Sequence, residues 1–176
     1  MAGARRLGRP ARHVDPGGAR GARTLTIRSS SRGEAETHFA IQRAASLAGL
    51  SHIYPPEDYP YPDDAVRERW RLFPGSVLVA EQNGAAVGVA ATEGCWLHGF
   101  YVVPEQWGTG IAAELHDAAV ASLPDCPEIK LWVLEDNRRA RRFYEKHGWR
   151  QNGEMRVVEY PPNPLDIGYS FSREEP

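Results

Sequence analysis

No apolar run in this chain of 176 residues approaches the roughly 20 residues that cross a bilayer, so it is not expected to sit in a membrane. Cysteine is nearly absent. Cys95 and Cys126 are too few for a disulfide scaffold and lack a pattern that suggests a reactive thiol; with no export signal, the expected setting is a reducing cytoplasm. Charge of either sign is scarce in excess: a net charge of −2 and a pI near 6.3 give no reason to expect a nucleic-acid partner. The histidines and cysteines lack ligand spacing, so no metal is expected. Against these absences stand hydrophobic and charged fractions of 41% and 25%, ordinary for a soluble globular protein, and a length that fits one domain with a real core.

Residues 1–23 carry six arginines against Asp15 alone, with scattered glycine and proline. Such a segment cannot bury enough apolar surface to order itself, so a disordered basic extension is expected ahead of a folded domain at 24–176. It has no apolar core of a signal peptide, and Pro16, Gly17 and Gly18 argue against the amphipathic helix of a transit peptide. An inert leader and a tail for an anionic partner both fit it.

Periodicity predicts the elements that follow. Leu25 and Ile27 alternate in a first strand, Thr24 to Ser29, and a helix is expected from about Glu34 to Ala48. The proline-rich segment 51–62 excludes regular structure, after which Asp63 or Asp64 opens a short helix through Trp70. Asn83-Gly84 joins the runs Ser76–Gln82 and Ala85–Thr92 as a hairpin, and Glu93-Gly94 turns the chain into Cys95–Val103. A helix to about Leu123, a strand Ile129–Leu134, a helix Asn137–His147 and strands from Trp149 and from Leu165 to Phe171 complete the order. The fold class is α/β (α+β), a mixed sheet with helices against its faces.

Between strand and helix, Tyr101 to Ala112 reads YVVPEQWGTGIA. Glycine at 108 and 110 lets the backbone approach a ligand, and the free N–H groups of the first helical turn carry the positive end of the helix dipole, which suits a phosphate. A plain strand-to-helix turn would also use glycine, for geometry alone. A dinucleotide site fits less well, because the turn follows antiparallel strands and a full GxGxxG is absent; a Walker loop would need a lysine. Further on, Asn137, Ala140 and Tyr144 share a helix face. Tyr144 is either a half-buried core aromatic beside Phe143 or a proton donor.

The glycine turn and the segment NRRARRFYEKHGW, in this element order, resemble the GNAT superfamily of acyl-CoA-dependent N-acyltransferases over nearly all of Thr24 to Arg173. The resemblance implies a mostly antiparallel central sheet with helices on both faces and a cleft where the fourth and fifth strands splay, between Val102 and Leu131. It implies coenzyme A binding by Tyr101, Val102 and Val103 (pantetheine arm) and by Trp107, Gly108, Thr109, Gly110, Ile111 and Ala112 (pyrophosphate). Asn137, Ala140, Phe143 and Tyr144 would flank the arm. The family carries Gln or Arg where this chain has Trp107, which moves the expected grip from side chain to backbone amides. Tyr144 would protonate the departing thiolate, and amides near Val102 and Val103 would polarise the thioester carbonyl. The implied reaction is acetyl transfer from acetyl-CoA to a primary amine of a small molecule or peptide by direct attack.

An amine with a pKa near 10 must first lose a proton. Counting by two from Val102 puts Phe100, His98 and Trp96 on one strand face, so His98 is the candidate base, as in relatives such as the arylalkylamine N-acetyltransferases; many other members carry a carboxylate where this chain has Trp96. The alternative for His98 is a structural role, the commoner one for a lone strand histidine. Tyr54, Tyr59 and Tyr61 with Glu57, Asp58, Asp63 and Asp64 would hold a cationic acceptor, or Asp63 and Asp64 would serve the helix N-terminus. Arg138, Arg139, Arg141, Arg142 and Lys146 either meet the coenzyme's phosphates or form a solvated face. The alternative function is a non-catalytic acyl-CoA-binding module; an unrelated nucleotide-binding domain is a third. Members of the family often pair their last two strand edges as homodimers.

Overall fold

The computed structural model describes residues 24–31 and 33–173. The expectation for residues 1–23 lies outside them. Within them the order is β1 (Leu25–Ser29), α1 (Ala35–Gly49), α2 (Asp63–Leu72), β2 (Ser76–Gln82), β3 (Ala85–Glu93), β4 (Trp96–Val102), α3 (Ile111–Ala121), β5 (Glu128–Leu134), α4 (Arg138–Lys146), β6 (Arg150–Val157) and β7 (Leu165–Ser172). The strands form one sheet in the order β1-β2-β3-β4-β5-β7-β6, antiparallel except where β4 meets β5. Asn83 and Gly84 take positive φ, 52° and 80°, the backbone of a two-residue hairpin whose twist matches its strands. No helix among the described residues is long and apolar enough to cross a membrane.

Apolar side chains leave the sheet on both faces. Phe39, Ile41, Val66 and Trp70 of α1 and α2 close over Val79 and Val89 on one side, while Leu115 of α3 and Tyr144 of α4 close over Ile129, Leu131 and Tyr169 on the other. Leu115 and Trp149 are fully buried, and burial of each such side chain contributes on the order of 2 kcal/mol.

Two features depart from the sequence reading. Ala91 pairs with Gly99 and Thr92 with Leu97, so His98 is the extra residue of a β-bulge. The count by two therefore breaks at His98. Phe100 packs on Phe143 and Tyr144 of α4, whereas His98 lies against Phe73, just past α2, and Trp96. Secondly, Cys95 and Cys126, too few for a disulfide scaffold and expected in a reducing setting, form a disulfide with Cα atoms 5.6 Å apart. Though 31 residues apart in sequence, they precede β4 and β5, which pair at Trp96 and Lys130, so the sheet brings them together.

Two buried histidines tie stability to pH. The His116 ring accepts the Trp149 indole N–H at Nε2 (2.9 Å), which leaves Nδ1–H to face Asp117 (2.9 Å). Burial holds the His116 and His38 pKa values below the ordinary histidine value. A depressed folded pKa gives stability that is complete above the unfolded value, about 6.5, and lost as pH falls below it. The melting temperature should therefore drop between pH 7.5 and 5.5, with His116→Gln flattening part of the slope; a pH-independent melting temperature would contradict this.

Candidate active site

Strand β4 leaves β5 almost as soon as they meet. Their pairing register holds at Trp96 and Lys130, reinforced by the Lys130 N–H donating to the Cys95 carbonyl at 2.9 Å, and the seam beyond is open. The Val103 N–H donates to Val87 at 2.9 Å, so the alternation of an antiparallel ladder turns the amides of Val102 and Phe100 the other way, into that seam. Of the two amides proposed to polarise a carbonyl, Val103's is engaged within the sheet and Val102's faces the opening.

The seam runs into a cavity of about 620 Å³. Tyr101, His98, Asn137, Ala140 and Tyr144 all line it, so residues spread over β4 and α4 meet in one space. Asn137 caps α4, its Oδ1 accepting the Ala140 N–H at 3.1 Å, which fixes the helix start and leaves the side-chain NH2 to donate. Tyr144 is buried among Phe100, Phe143 and Trp149, and burial, with Tyr101 adding to it, pushes its pKa upward. It is therefore a neutral O–H at physiological pH. His98 is 42% exposed in its side chain, with Nε2 3.7 Å from the Glu93 carboxylate. Phe143 turns from the cavity to the rings of His116 and His147.

The glycine turn lies outside the cavity. Gly108 and Gly110 take φ of 77° and 97°, and a Cβ on either would meet nothing within 4 Å, so backbone conformation rather than space demands glycine. Gly110 caps α3, its carbonyl accepting from Ala113 and Glu114, and the amides of Gly110, Ile111 and Ala112 enter none of the turn's backbone hydrogen bonds. Thr109 is held inward, its hydroxyl on the Gln106 carbonyl at 2.8 Å. Trp107 points from this turn across the seam. Its indole N–H donates to the Val102 carbonyl at 2.7 Å, and the Arg139 guanidinium of α4 sits 3.2 Å from the ring centroid. Burial lowers the Arg139 pKa. Arg141 is bound to the Tyr169 hydroxyl and the Glu135 carbonyl, and so serves the fold.

At the far end the cavity is aromatic, and most of that wall was not anticipated. Trp96 stacks on Trp132 with centroids 6.2 Å apart, and Arg156, paired with the buried Asp166 at 2.9 Å, covers Trp132. Tyr160 reaches from the β6–β7 connection to donate to the Pro60 carbonyl at 2.7 Å, its ring 5.8 Å from Tyr54, so two loops close a roof. Tyr54, Tyr59 and Tyr61 line the space as expected of that loop, but Glu57 and Asp58 are exposed and line none of it. Asp63 pairs with Arg43, and Asp64 approaches Arg67. The one available signal for the missed residues was in β5, where buried Leu131 and Val133 force Trp132 to the opposite face.

Comparison with known proteins meets this geometry. Residues 43–149, more than half of the chain, match the acetyltransferase (GNAT) family model. An uncharacterized N-acetyltransferase of Mycobacterium tuberculosis is 34% identical over 85 residues, 44% of this chain and 54% of that protein, and one of Archaeoglobus fulgidus is 36% identical over 88 residues, 43% and 60%. The matched region thus spans about half the length of these curated relatives. In fold, apo YjaB of Escherichia coli superposes with a TM-score of 0.71 at 23% identity, covering 84% of this chain and 97% of that one. PaiA N-acetyltransferase of Thermoplasma acidophilum, solved with coenzyme A, gives 0.65 at 19% identity, covering 85% and 99%. With its mixed seven-stranded sheet parted between β4 and β5, this chain belongs to the GNAT family of acetyltransferases.

Proposed function

We propose that the protein transfers an acetyl group from acetyl-CoA to a primary amine by direct attack. One observation carries the reading: an open seam has backbone amides of a helix N-terminus, unpaired among the described residues, beyond one end and an aromatic cavity lined by Tyr144 at the other. The residues present fit the coenzyme. Gly110, Ile111 and Ala112 offer N–H groups to a pyrophosphate, while the seam-facing backbone of Phe100 and Val102 and the Asn137 amide suit an extended amide-bearing arm. Acetyl-CoA supplies an activated acyl thioester.

The chain's own groups would then do three things. His98, directly or through a water, takes a proton from the ammonium so that its nitrogen lone pair is free. The Val102 N–H faces the seam where negative charge grows on the carbonyl oxygen. As the N–C bond forms and the C–S bond breaks, Tyr144 donates a hydrogen bond to the departing sulfur, and the remaining excess proton on the nitrogen passes through water to the thiolate, giving amide and thiol. A thiol has a pKa near 8.5 and the raised Tyr144 lies above the ordinary tyrosine value, so complete transfer to thiolate is uphill; the hydroxyl acts chiefly by stabilising the charge.

A thiol-release assay with acetyl-CoA against amines, amino acids and peptides tests the reading. Release that depends on the amine is expected, with His98→Gln flattening the acid limb of the kcat/KM profile. Thermal stabilisation by acetyl-CoA with no release across the panel would instead mark a binding module, and an unchanged acid limb would remove His98 from the base role.

A further inference from the structure

Every acid on α1 and α2, the two helices on the Arg69 side of the cavity, is matched to an arginine other than Arg69. Asp63 faces Arg43, Glu36 and Asp64 face Arg67, and Glu68 faces Arg71. Within the cavity wall the single carboxylate, Asp166, is held by Arg156 through two bonds of 3.1 and 2.9 Å. Arg69, an exposed residue, is the one arginine of these two helices with no carboxylate partner among the described residues. It lines the cavity, and its Nη2 donates only to a neutral oxygen, Gln42 Oε1 at 2.8 Å, which also accepts the Trp70 indole N–H and so is fixed in place. Nearby, the Tyr61 hydroxyl is buried in the same wall close to Ser46 and Arg69, and makes no hydrogen bond of good geometry among the described residues. A guanidinium without a carboxylate among the described residues and a buried hydroxyl in one wall form a site suited to an acceptor oxygen.

A polyamine would find no free carboxylate here. The body of the space is instead built from rings, Trp96, Trp132, Tyr54, Tyr59 and Tyr160, and the Tyr160 contact with Pro60 roofs it, which limits the occupant to a small molecule. We infer that the acceptor is a small aromatic amino acid, its ring held by the tryptophans and tyrosines and its carboxylate by Arg69 with Tyr61. The inference rests on the acetyl-transfer reading for the fate of the amine, but the carboxylate site is testable without it.

Binding is measured first, by quenching of tryptophan fluorescence, with N-acetyl-L-phenylalanine against N-acetyl-L-phenylalaninamide, which has the same shape and no charge. The acid should bind about tenfold tighter or more; Arg69→Gln should bring the two within about threefold, and Arg69→Lys should recover part of the difference. Equal affinities in the unaltered protein overturn the site without any variant. Thiol release is then compared for L-phenylalanine, phenethylamine and spermidine. Preference for phenylalanine supports the inference, and preference for either of the others overturns it while leaving acetyl transfer standing. Acid-selective binding with no release from any of them upholds the site and counts against transfer alone.

Discussion

Tyr144→Phe should lower kcat by about 100-fold while leaving the Michaelis constant for acetyl-CoA nearly unmoved, the pattern of a contact made only as the bond breaks. The substitution is a clean probe because the ring stays. Tyr144 packs on Phe100, Phe143 and Trp149 through its faces and edges, and its hydroxyl donates to no group among the described residues, so stability should change by less than about 0.5 kcal/mol. A variant that keeps its turnover within about threefold would return Tyr144 to a packing role. One that loses both turnover and coenzyme affinity would place the hydroxyl in binding.

The second large effect belongs to the disulfide. Closing a loop of 31 residues restricts the unfolded chain by about 3.5 kcal/mol in the chain-entropy account. For a domain of this size about 2–4 °C accompanies each kcal/mol, so reduction, or Cys95→Ser with Cys126→Ser, should lower the melting temperature by roughly 7–14 °C. The bond also sits at the closed end of the parted strands, beside the Trp96 and Lys130 pair. Coenzyme affinity should therefore weaken with the melting temperature, because the angle of the seam is held there. A loss below about 2 °C would show that the sheet alone holds this end.

Local patterns were enough for most of the fold. The Asn83-Gly84 hairpin, the proline-broken segment after α1 and the glycine turn ahead of α3 follow from backbone preferences that act over a few residues, and each stands where expected. What was not legible depends on distant partners. His98 leaves the period of two because β3 pairs around it, and nothing in WLHGF announces a bulge. Cys95 and Cys126 are joined by strand adjacency, which spacing does not encode. The acids of 57–64 looked like an amine site in sequence, yet Asp63 meets Arg43, Asp64 approaches Arg67, and Glu57 and Asp58 are exposed. Charge came to the cavity instead from Arg69, Arg156 and Asp166, whose placement needs the sheet order β5-β7-β6 and the packing of α2.

Trp107 adds a kinetic consequence. Its indole N–H already holds the Val102 carbonyl, and its ring bridges β4 to Arg139 on α4, across the opening that a coenzyme arm would follow. On the proposed reading, an arm that pairs with that carbonyl exchanges one hydrogen bond for another, so affinity is the difference between two contacts. Association then proceeds no faster than the indole swings aside, and the on-rate saturates at high coenzyme concentration where a site without the tryptophan would keep rising.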